Sequence, residues 1–403
     1  MRLTIFMLAL AATLVSVAPP VSAQSTTVPV RFRAQDIARI QGGYAVAVAD
    51  FNNDGRPDVM ANSVGAGNDI AWYQNPSWRR VVIVPQASRV VNQAMADIDG
   101  DGIPEVAYQS EFAMQAANSE GLNWIARSGG RPGGTWRAEV VDRFETSHHV
   151  QWADFDGDGR LELVNAPLIG AGSLAPTYDQ DVASVFWYDQ ANWRRHTIDD
   201  QIPGIIHRVR PYKWDGSDRD ALLVASFEGI ALYQAQGSGE SMRFTKTLIS
   251  RGHVDAAPRL GASDVGAWTN SDGRRILASV EPWHGNEVVV YTQDDGQWKR
   301  RVIFDRVQSG HEIAVLDLNG DGLADIVAND NSRVTEQRPD ATPGVHVFFS
   351  PKDPATGEWQ YSRIETQAAM NGCVGADMNR DGAPDIVCTG GGGVIRWYEN
   401  LGR

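Results

Sequence analysis

The feature that most constrains this chain is a short acidic motif that returns seven times at intervals of about one four-stranded unit. Five copies follow the pattern D-x-[DN]-x-D-G-x-x-[DE]. They place Asp50, Asn52, Asp54 and Asp58 in the first unit; Asp97, Asp99, Asp101 and Glu105 in the second; and Asp154, Asp156, Asp158 and Glu162 in the third. Asp317, Asn319, Asp321 and Asp325 fall in the sixth, and Asp377, Asn379, Asp381 and Asp385 in the last. Degenerate copies led by Lys213 and Trp268 fill the gap. Each unit reads as strands. A run of small and β-branched residues ends at the lead position, and a second run such as Asp325-Ile-Val-Ala follows the turn. A third carries aromatics, as in Phe186-Trp187-Tyr188, and a fourth is amphipathic and basic, as in Trp298-Lys-Arg-Arg-Val-Ile-Phe304. Four antiparallel strands repeated seven times predict an all-β fold, a seven-bladed β-propeller. The last unit has three strands before Arg403, and Val28-Pro-Val-Arg-Phe-Arg33 stands ahead of the first. That segment is expected to be an N-terminal strand that joins the last blade and closes the ring, making Gln24 to Arg403 a single domain.

The motif sets oxygen ligands at loop positions 1, 3, 5 and 9, leaves a backbone carbonyl for position 7, and has Gly at position 6 for the sharp bend. Hard oxygen donors so arranged suit calcium. This is no EF-hand, because no helices flank it and the acid comes at 9 rather than 12. Up to five structural Ca2+ ions are expected, and the units led by Lys213 and Trp268, without the position-1 and position-9 carboxylates, are expected to be empty. Net charge is −14, from 36 basic and 50 acidic side chains, which argues against a nucleic-acid partner. Seventeen of those acids sit at motif ligand positions, so the remainder is close to neutral and an anionic ligand is not excluded.

Arg2, the apolar run Leu3–Ala18, Pro19-Pro20 and Val21-Ser22-Ala23 form a secretory signal, with cleavage expected near Ala23 and a secreted or periplasmic destination. No later run is long enough to span a membrane. Cys373 and Cys388 lie on the first and second strands of the last unit, hairpin neighbours in an oxidising compartment, and are expected to form a disulfide. The repeats resemble the FG-GAP/VCBS type, which implies seven-bladed propellers with a calcium loop in each blade.

His148, His207 and His311 each stand six residues before the lead position of their unit. Tyr44 holds the same place in the first unit, and Val91, Ala262 and Asn371 hold it in the others. With His149, His253 and His284, six of the eight His map to the face opposite the acidic turns, while His196 and His346 are assigned to outer strands. Imidazole serves both as a base near neutral pH and as a zinc ligand. Polar residues expected on that face are Asn92, Glu111, Glu228, Glu281, Glu312, Asp330, Asn331 and Asn371.

The segments Thr146-Ser-His-His-Val-Gln-Trp-Ala-Asp154, Glu281-Pro-Trp-His-Gly-Asn286 and Ser309-Gly-His-Glu-Ile-Ala-Val315 resemble propeller carbohydrate lyases. The nearest in pattern is the aldos-2-ulose dehydratase propeller, followed by rhamnose–glucuronate lyases and related rhamnosidases. The resemblance implies an axial site with His chemistry, in the dehydratase aided by a metal, so zinc or another divalent ion is a candidate there beside calcium. For β-elimination, His148 or His149 is the candidate base. His207, His284 and His311 are candidates to hold a metal or the oxyanion, and Tyr44 to protonate the leaving group. Arg208, Arg210, Arg259, Glu281 and Asn371 are candidate contacts to a carbohydrate, either a uronate-containing glycan or a keto-sugar. Two alternatives stand beside the lyase: a non-catalytic, calcium-dependent glycan- or protein-binding propeller, and a glycosidase. The glycosidase would draw a carboxylate pair from Glu111, Glu228, Glu281 and Glu312.

Overall fold

The computed structural model describes residues 30–65, 67–130, 133–336 and 338–402. The expected signal sequence and cleavage site lie outside them. Seven four-stranded antiparallel sheets hold 28 strands, β1 to β28 in chain order. The innermost strands of blades one to seven are β2 (Gly43–Ala49), β6 (Asn92–Ala96), β10 (Ser147–Ala153), β14 (Ile206–Tyr212), β18 (Asp264–Thr269), β22 (Gly310–Leu316) and β26 (Gly372–Ala376). Blade seven is completed by β1 (Phe32–Arg39), which pairs antiparallel with β28 (Val394–Asn400). The closing strand therefore exists: its ladder begins at Phe32, opposite Asn400, and Arg31 extends it through backbone hydrogen bonds with Leu401 and Gly402. Among the described residues no helix is long and apolar enough to cross a membrane.

Each motif turn bends at its position-6 glycine: Gly55, Gly102, Gly159, Gly322 and Gly382 all have φ between 79° and 89°, where a side chain would be strained. The cores lie between blades. Phe155, Val164 and Trp187 of blade three pack with Leu222, Val224 and Tyr233 of blade four. Each such side chain removed from water contributes about 1.5–3 kcal/mol.

The third-strand aromatics also latch neighbours together. Tyr188 Oη donates to Asp142 at 2.7 Å, Tyr233 Oη to Asp199 at 2.7 Å and Tyr398 Oη to Glu365 at 2.8 Å, each carboxylate belonging to the preceding blade. In blade five Tyr291 Oη instead donates to Glu281 of its own blade at 2.5 Å. Cys373 and Cys388 face each other in register on β26 and β27 (Asp385–Thr389) and are bonded Sγ to Sγ. His346 sits on the third strand of blade six, not an outer one. It is buried against Tyr361, which accepts or donates at 3.0 Å from Nδ1, and Phe304.

Candidate active site

A local irregularity places the site. In blades one, three, four and six the pairing of first and second strands slips by one residue. Gly43↔Ser63 is followed by Val46↔Ala61, and Ser147↔Pro167 by His149↔Ala166. Ile206↔Ser226 is followed by Arg208↔Ala225, and Gly310↔Asp330 by Ile313↔Ala328. The slips enclose Tyr44, His148, His207 and His311. Blades two, five and seven, which carry no such residue, pair without a slip. A bulge bends its strand and re-aims the side chain it carries, and here it brings four strands' polar groups into one cluster.

The contacts admit one protonation pattern. His311 Nδ1 donates to the Asn371 carbonyl at 2.7 Å, so its Nε2 accepts the Tyr44 hydroxyl proton at 3.1 Å. Tyr44 Oη then accepts Nε2–H of His148 at 3.3 Å, and the His148 Nδ1 lone pair is buried without a partner. His207 Nδ1 donates to the Ser263 carbonyl at 2.8 Å, so its Nε2 accepts from His284 Nε2 at 3.1 Å. Every imidazole in this pattern is neutral, in accord with the electrostatics. Burial, reinforced by neighbouring imidazoles and Arg208, holds His148 and His207 well below the ordinary value. The same burial pushes His284 down to about 3 and His311 to about 4. Burial, then the nearby Glu312, raises Tyr44 and keeps it a phenol.

His284 has φ 48° in the tight loop between Glu281 and Glu287. Both flanking carboxylates are held by Arg300, whose Nε donates to Glu281 at 2.8 Å and whose guanidinium also pairs with Glu287. An apolar wall covers the imidazoles. Phe112 lies 5.2 Å from His148, and Trp283 lies 4.7 Å from His284 and packs against Tyr178 and Phe227.

The other expected contacts are placed differently. His149 turns to Arg208, whose Nη1 meets its Nε2 at 2.5 Å, so this nitrogen is not available as a base beside Tyr44. Arg208 also pairs with Glu312 and lies 3.4 Å from Asp264. Arg210 grips Asp264 at 2.6 Å and the Ile313 carbonyl at 2.7 Å. Burial opposes ionisation of Asp264, but the two arginines outweigh it and lower its pKa. These groups form a buried ion layer beneath the imidazoles. An axial cavity of about 340 Å³, lined in part by Arg208, Arg210 and Glu312, lies on its far side. Glu281 is fully buried between Tyr291 and Arg300 and is closed to a ligand. Asn371 acts through its main-chain carbonyl, its side-chain oxygen being taken by Gly391 N at 3.1 Å. Arg259 is exposed beside Asp255 and Asn286. Glu111 pairs with Arg89 and Glu228 with Lys246, while Asp330 accepts three backbone N–H groups.

Groups without a distinctive sequence mark hold the cluster: Ser263 and Asn371 through carbonyls, and Asn62 and Asn329 through side chains. Asn62 accepts Ala45 N at 3.1 Å, and Asn329 accepts His311 N and Glu312 N at 3.2 and 2.9 Å. Both asparagines stand four residues after the position-9 acid, a repeat-phase signal that was open to reading.

At the opposite face the five complete turns share one wrap. The lead Asp accepts the position-6 N–H in every copy: Gly55, Gly102, Gly159, Gly322 and Gly382. The position-9 acids bond backbone N–H groups from inside the blade, as Asp58 does with Phe51 and Asn75. Burial, with the loop's other carboxylates, raises Asp58, Glu162 and Asp325 to about 7 and Asp385 to about 6. The degenerate turns carry their own cations. Lys213 Nζ contacts the Asp218 carbonyl and lies 3.2 Å from Asp220, and Arg274 pairs with Asp272 at 2.7 Å.

Residues 50–108 and 269–328 match an FG-GAP-like repeat, and residues 120–294 match the β-propeller domain of aldos-2-ulose dehydratase. The chain is thus a seven-bladed propeller with FG-GAP-like repeats, and its middle blades resemble the dehydratase propeller. Among individual proteins, aldos-2-ulose dehydratase of Phanerodontia chrysosporium is 21% identical over 309 residues, covering 70% of this chain and 33% of that protein. The chain therefore spans about a third of that relative's length. A solved gluconolactonase structure from Xanthomonas campestris aligns over 93% of this chain and 95% of its own, with TM-score 0.45 and 10% identity, and nothing is drawn from that likeness.

Proposed function

We propose that this protein is a secreted or periplasmic carbohydrate-active lyase or dehydratase that works by β-elimination at the Tyr44–His148–His207–His284–His311 cluster. One observation carries the reading. Tyr44 Oη bridges the Nε2 atoms of His148 and His311, and His148 Nδ1 is buried with no partner. Elimination beside a carbonyl needs a base for a weakly acidic C–H, a proton for the departing oxygen and a donor for the enolate. His148 Nδ1 takes the C–H proton. Tyr44 gives its proton to the leaving hydroxyl, which departs as water, and recovers one from His148 Nε2 across the 3.3 Å contact. His148 is left as its other tautomer, which exchange with water resets. His284 Nε2–H, at rest on His207, is the donor for the enolate oxygen.

The Nε2 atoms of His207 and His311 are set free by Nδ1–carbonyl bonds, as is usual for metal-bound imidazoles, and the three ligand atoms of His207, His284 and His311 lie within 4.8 Å of one another. Zinc or another divalent ion held there would polarise the substrate carbonyl in place of the His284 N–H. Structural calcium fits the five complete turns, where a divalent cation would offset the crowding that raises the position-9 acids. The disulfide suits the oxidising compartment that the signal sequence implies.

The favoured substrate is a neutral keto-sugar, in keeping with the name of the dehydratase relative. Arg208 and Arg210 are spent on Asp264 and Glu312, which leaves neither as a clamp for a uronate. The carboxylates a glycosidase would need are likewise paired: Glu111, Glu228, Glu281 and Glu312 each face an Arg or Lys. The test is incubation with neutral keto-sugars and uronate-containing oligosaccharides while following the ultraviolet absorbance of a new conjugated double bond. The reading expects absorbance with keto-sugars. Preference for uronates, or sugar release without absorbance, overturns it.

A further inference from the structure

We infer that Asn329 is a positioning residue that fixes which nitrogen His311 presents to the site. It is fully buried on the second strand of blade six, β23 (Asp325–Asp330). Its Oδ1 fills the notch left by the bulge, accepting His311 N–H at 3.2 Å and Glu312 N–H at 2.9 Å. Its Nδ2 donates to the Asn371 carbonyl at 2.7 Å. That same carbonyl accepts Nδ1–H of His311 at 2.7 Å. One planar amide therefore holds both the backbone that carries the imidazole and the acceptor that orients its ring.

Only an amide does both. A carboxylate accepts the two N–H groups but sets a negative oxygen against the carbonyl, and an aliphatic side chain leaves both buried N–H groups without an acceptor and the carbonyl held only by His311 itself. With the carbonyl untethered, His311 is free to carry its proton on Nε2, where it no longer accepts from Tyr44. Blade four supplies the contrast. Its residue at the same repeat phase is Ala225, and His207 is oriented by Ser263 O without any such amide. His207 is thus an internal control for His311.

The consequence for turnover rests on the lyase reading above, whereas the lock itself rests on geometry alone. The experiment is long-range 1H–15N correlation of the imidazoles in the full mature chain near neutral pH, for wild type and Asn329→Ala. In wild type both His207 and His311 are expected as the Nδ1–H form. In Asn329→Ala, His311 becomes a mixture with the Nε2–H form while His207 does not change, and activity or divalent-metal affinity falls about 10–100-fold, as for other partners of ligating His. A His311 that is Nε2–H in wild type, or that stays wholly Nδ1–H in the variant, overturns the inference. So does a His207 that changes in step, because that marks general loosening. Should Asn329→Ala not fold, Asn329→Asp at alkaline pH gives the same reading, since its carboxylate cannot donate to Asn371 O. Tautomer change without wild-type turnover of keto-sugars sinks the lyase reading and leaves the lock standing. Wild-type turnover with an unchanged tautomer sinks the lock alone.

Discussion

The bulged blades and the regular blades divide the work of this ring. Blades one, three, four and six slip by one residue on the inner strand and present Tyr44, His148, His207 and His311. Blades two, five and seven keep a plain ladder and supply supports from next door, beside those that Asn62 and Asn329 give within their own bulged blades, and blade five also lends His284 from a loop. Asn92 Oδ1 takes Val150 N at 3.0 Å, Ser263 O takes His207 Nδ1 at 2.8 Å, and Asn371 O takes His311 Nδ1 at 2.7 Å. Each supported residue belongs to a neighbouring bulged blade. A repeat protein thus gains a site by altering some copies and leaving others as scaffold. The difference teaches that the site belongs to interfaces between unequal repeats, not to any one of them.

The same inequality marks the opposite face, where five turns collect carboxylates and two carry Lys213 or Arg274 instead. Breaking that division has the largest expected effect. On the proposal that calcium fills the complete turns, a chelator should lower the melting temperature strongly, because each site at a hundredfold excess over Kd would contribute about 2.7 kcal/mol. An unchanged melting curve with metal removal verified would contradict this. Next comes the ion layer between the faces. Arg208→Met leaves Glu312 without its pair in the buried interior and should cost about 3–5 kcal/mol, read by chemical denaturation. A loss near zero would show that the layer is not needed to hold the inner strands together.

A smaller effect concerns His346, which packs in blade six away from both regions. Its folded pKa is pushed by burial to about 4, below the ordinary value of 6.5, so the unfolded chain binds its proton first as pH falls. The stability it contributes is present above pH 6.5 and is lost as pH drops towards about 4. His346→Phe should flatten that acid limb of the melting-temperature profile, and an identical limb would refute the assignment. The smallest effect is a null one. His196, stacked 4.2 Å from Trp187 on the outer strand β13 (Arg195–Pro203), should tolerate Ala with turnover unchanged.

Much of this arrangement was legible before the coordinates, and the reasons for the rest are physical. The spacing of the acidic turns counted the blades, and the shared offset of Tyr44, His148, His207 and His311 from their lead positions put them at one end of the channel. The bulges left no such trace, because over a strand of seven residues such as Ile206–Tyr212 a one-residue shift of phase looks like an ordinary break in the alternation. Ser263 escaped, and Asn371 was read as a sugar contact, because both act through main-chain carbonyls, which every residue has. Arg208 and Arg210 read as sugar contacts because their partners, Asp264 and Glu312, lie on other blades far along the chain. Glu281 was read as a sugar contact for a similar reason: only the fold reveals Tyr291 and Arg300 around it. His346 was assigned to an outer strand, and the β22–β25 sheet (Gly310–Glu365) shows that strand to be the third.

The central claim is that the bulged ends, together with His284, form a catalytic cluster at the interfaces between unequal blades. Its most direct test is the rate of conjugated-double-bond formation from a neutral keto-sugar by wild type and His148→Ala, with calcium-dependent melting measured on the same samples. The account predicts turnover by wild type, loss of turnover in His148→Ala, and melting curves that nearly coincide. Full turnover by His148→Ala, or loss of its fold, would contradict it.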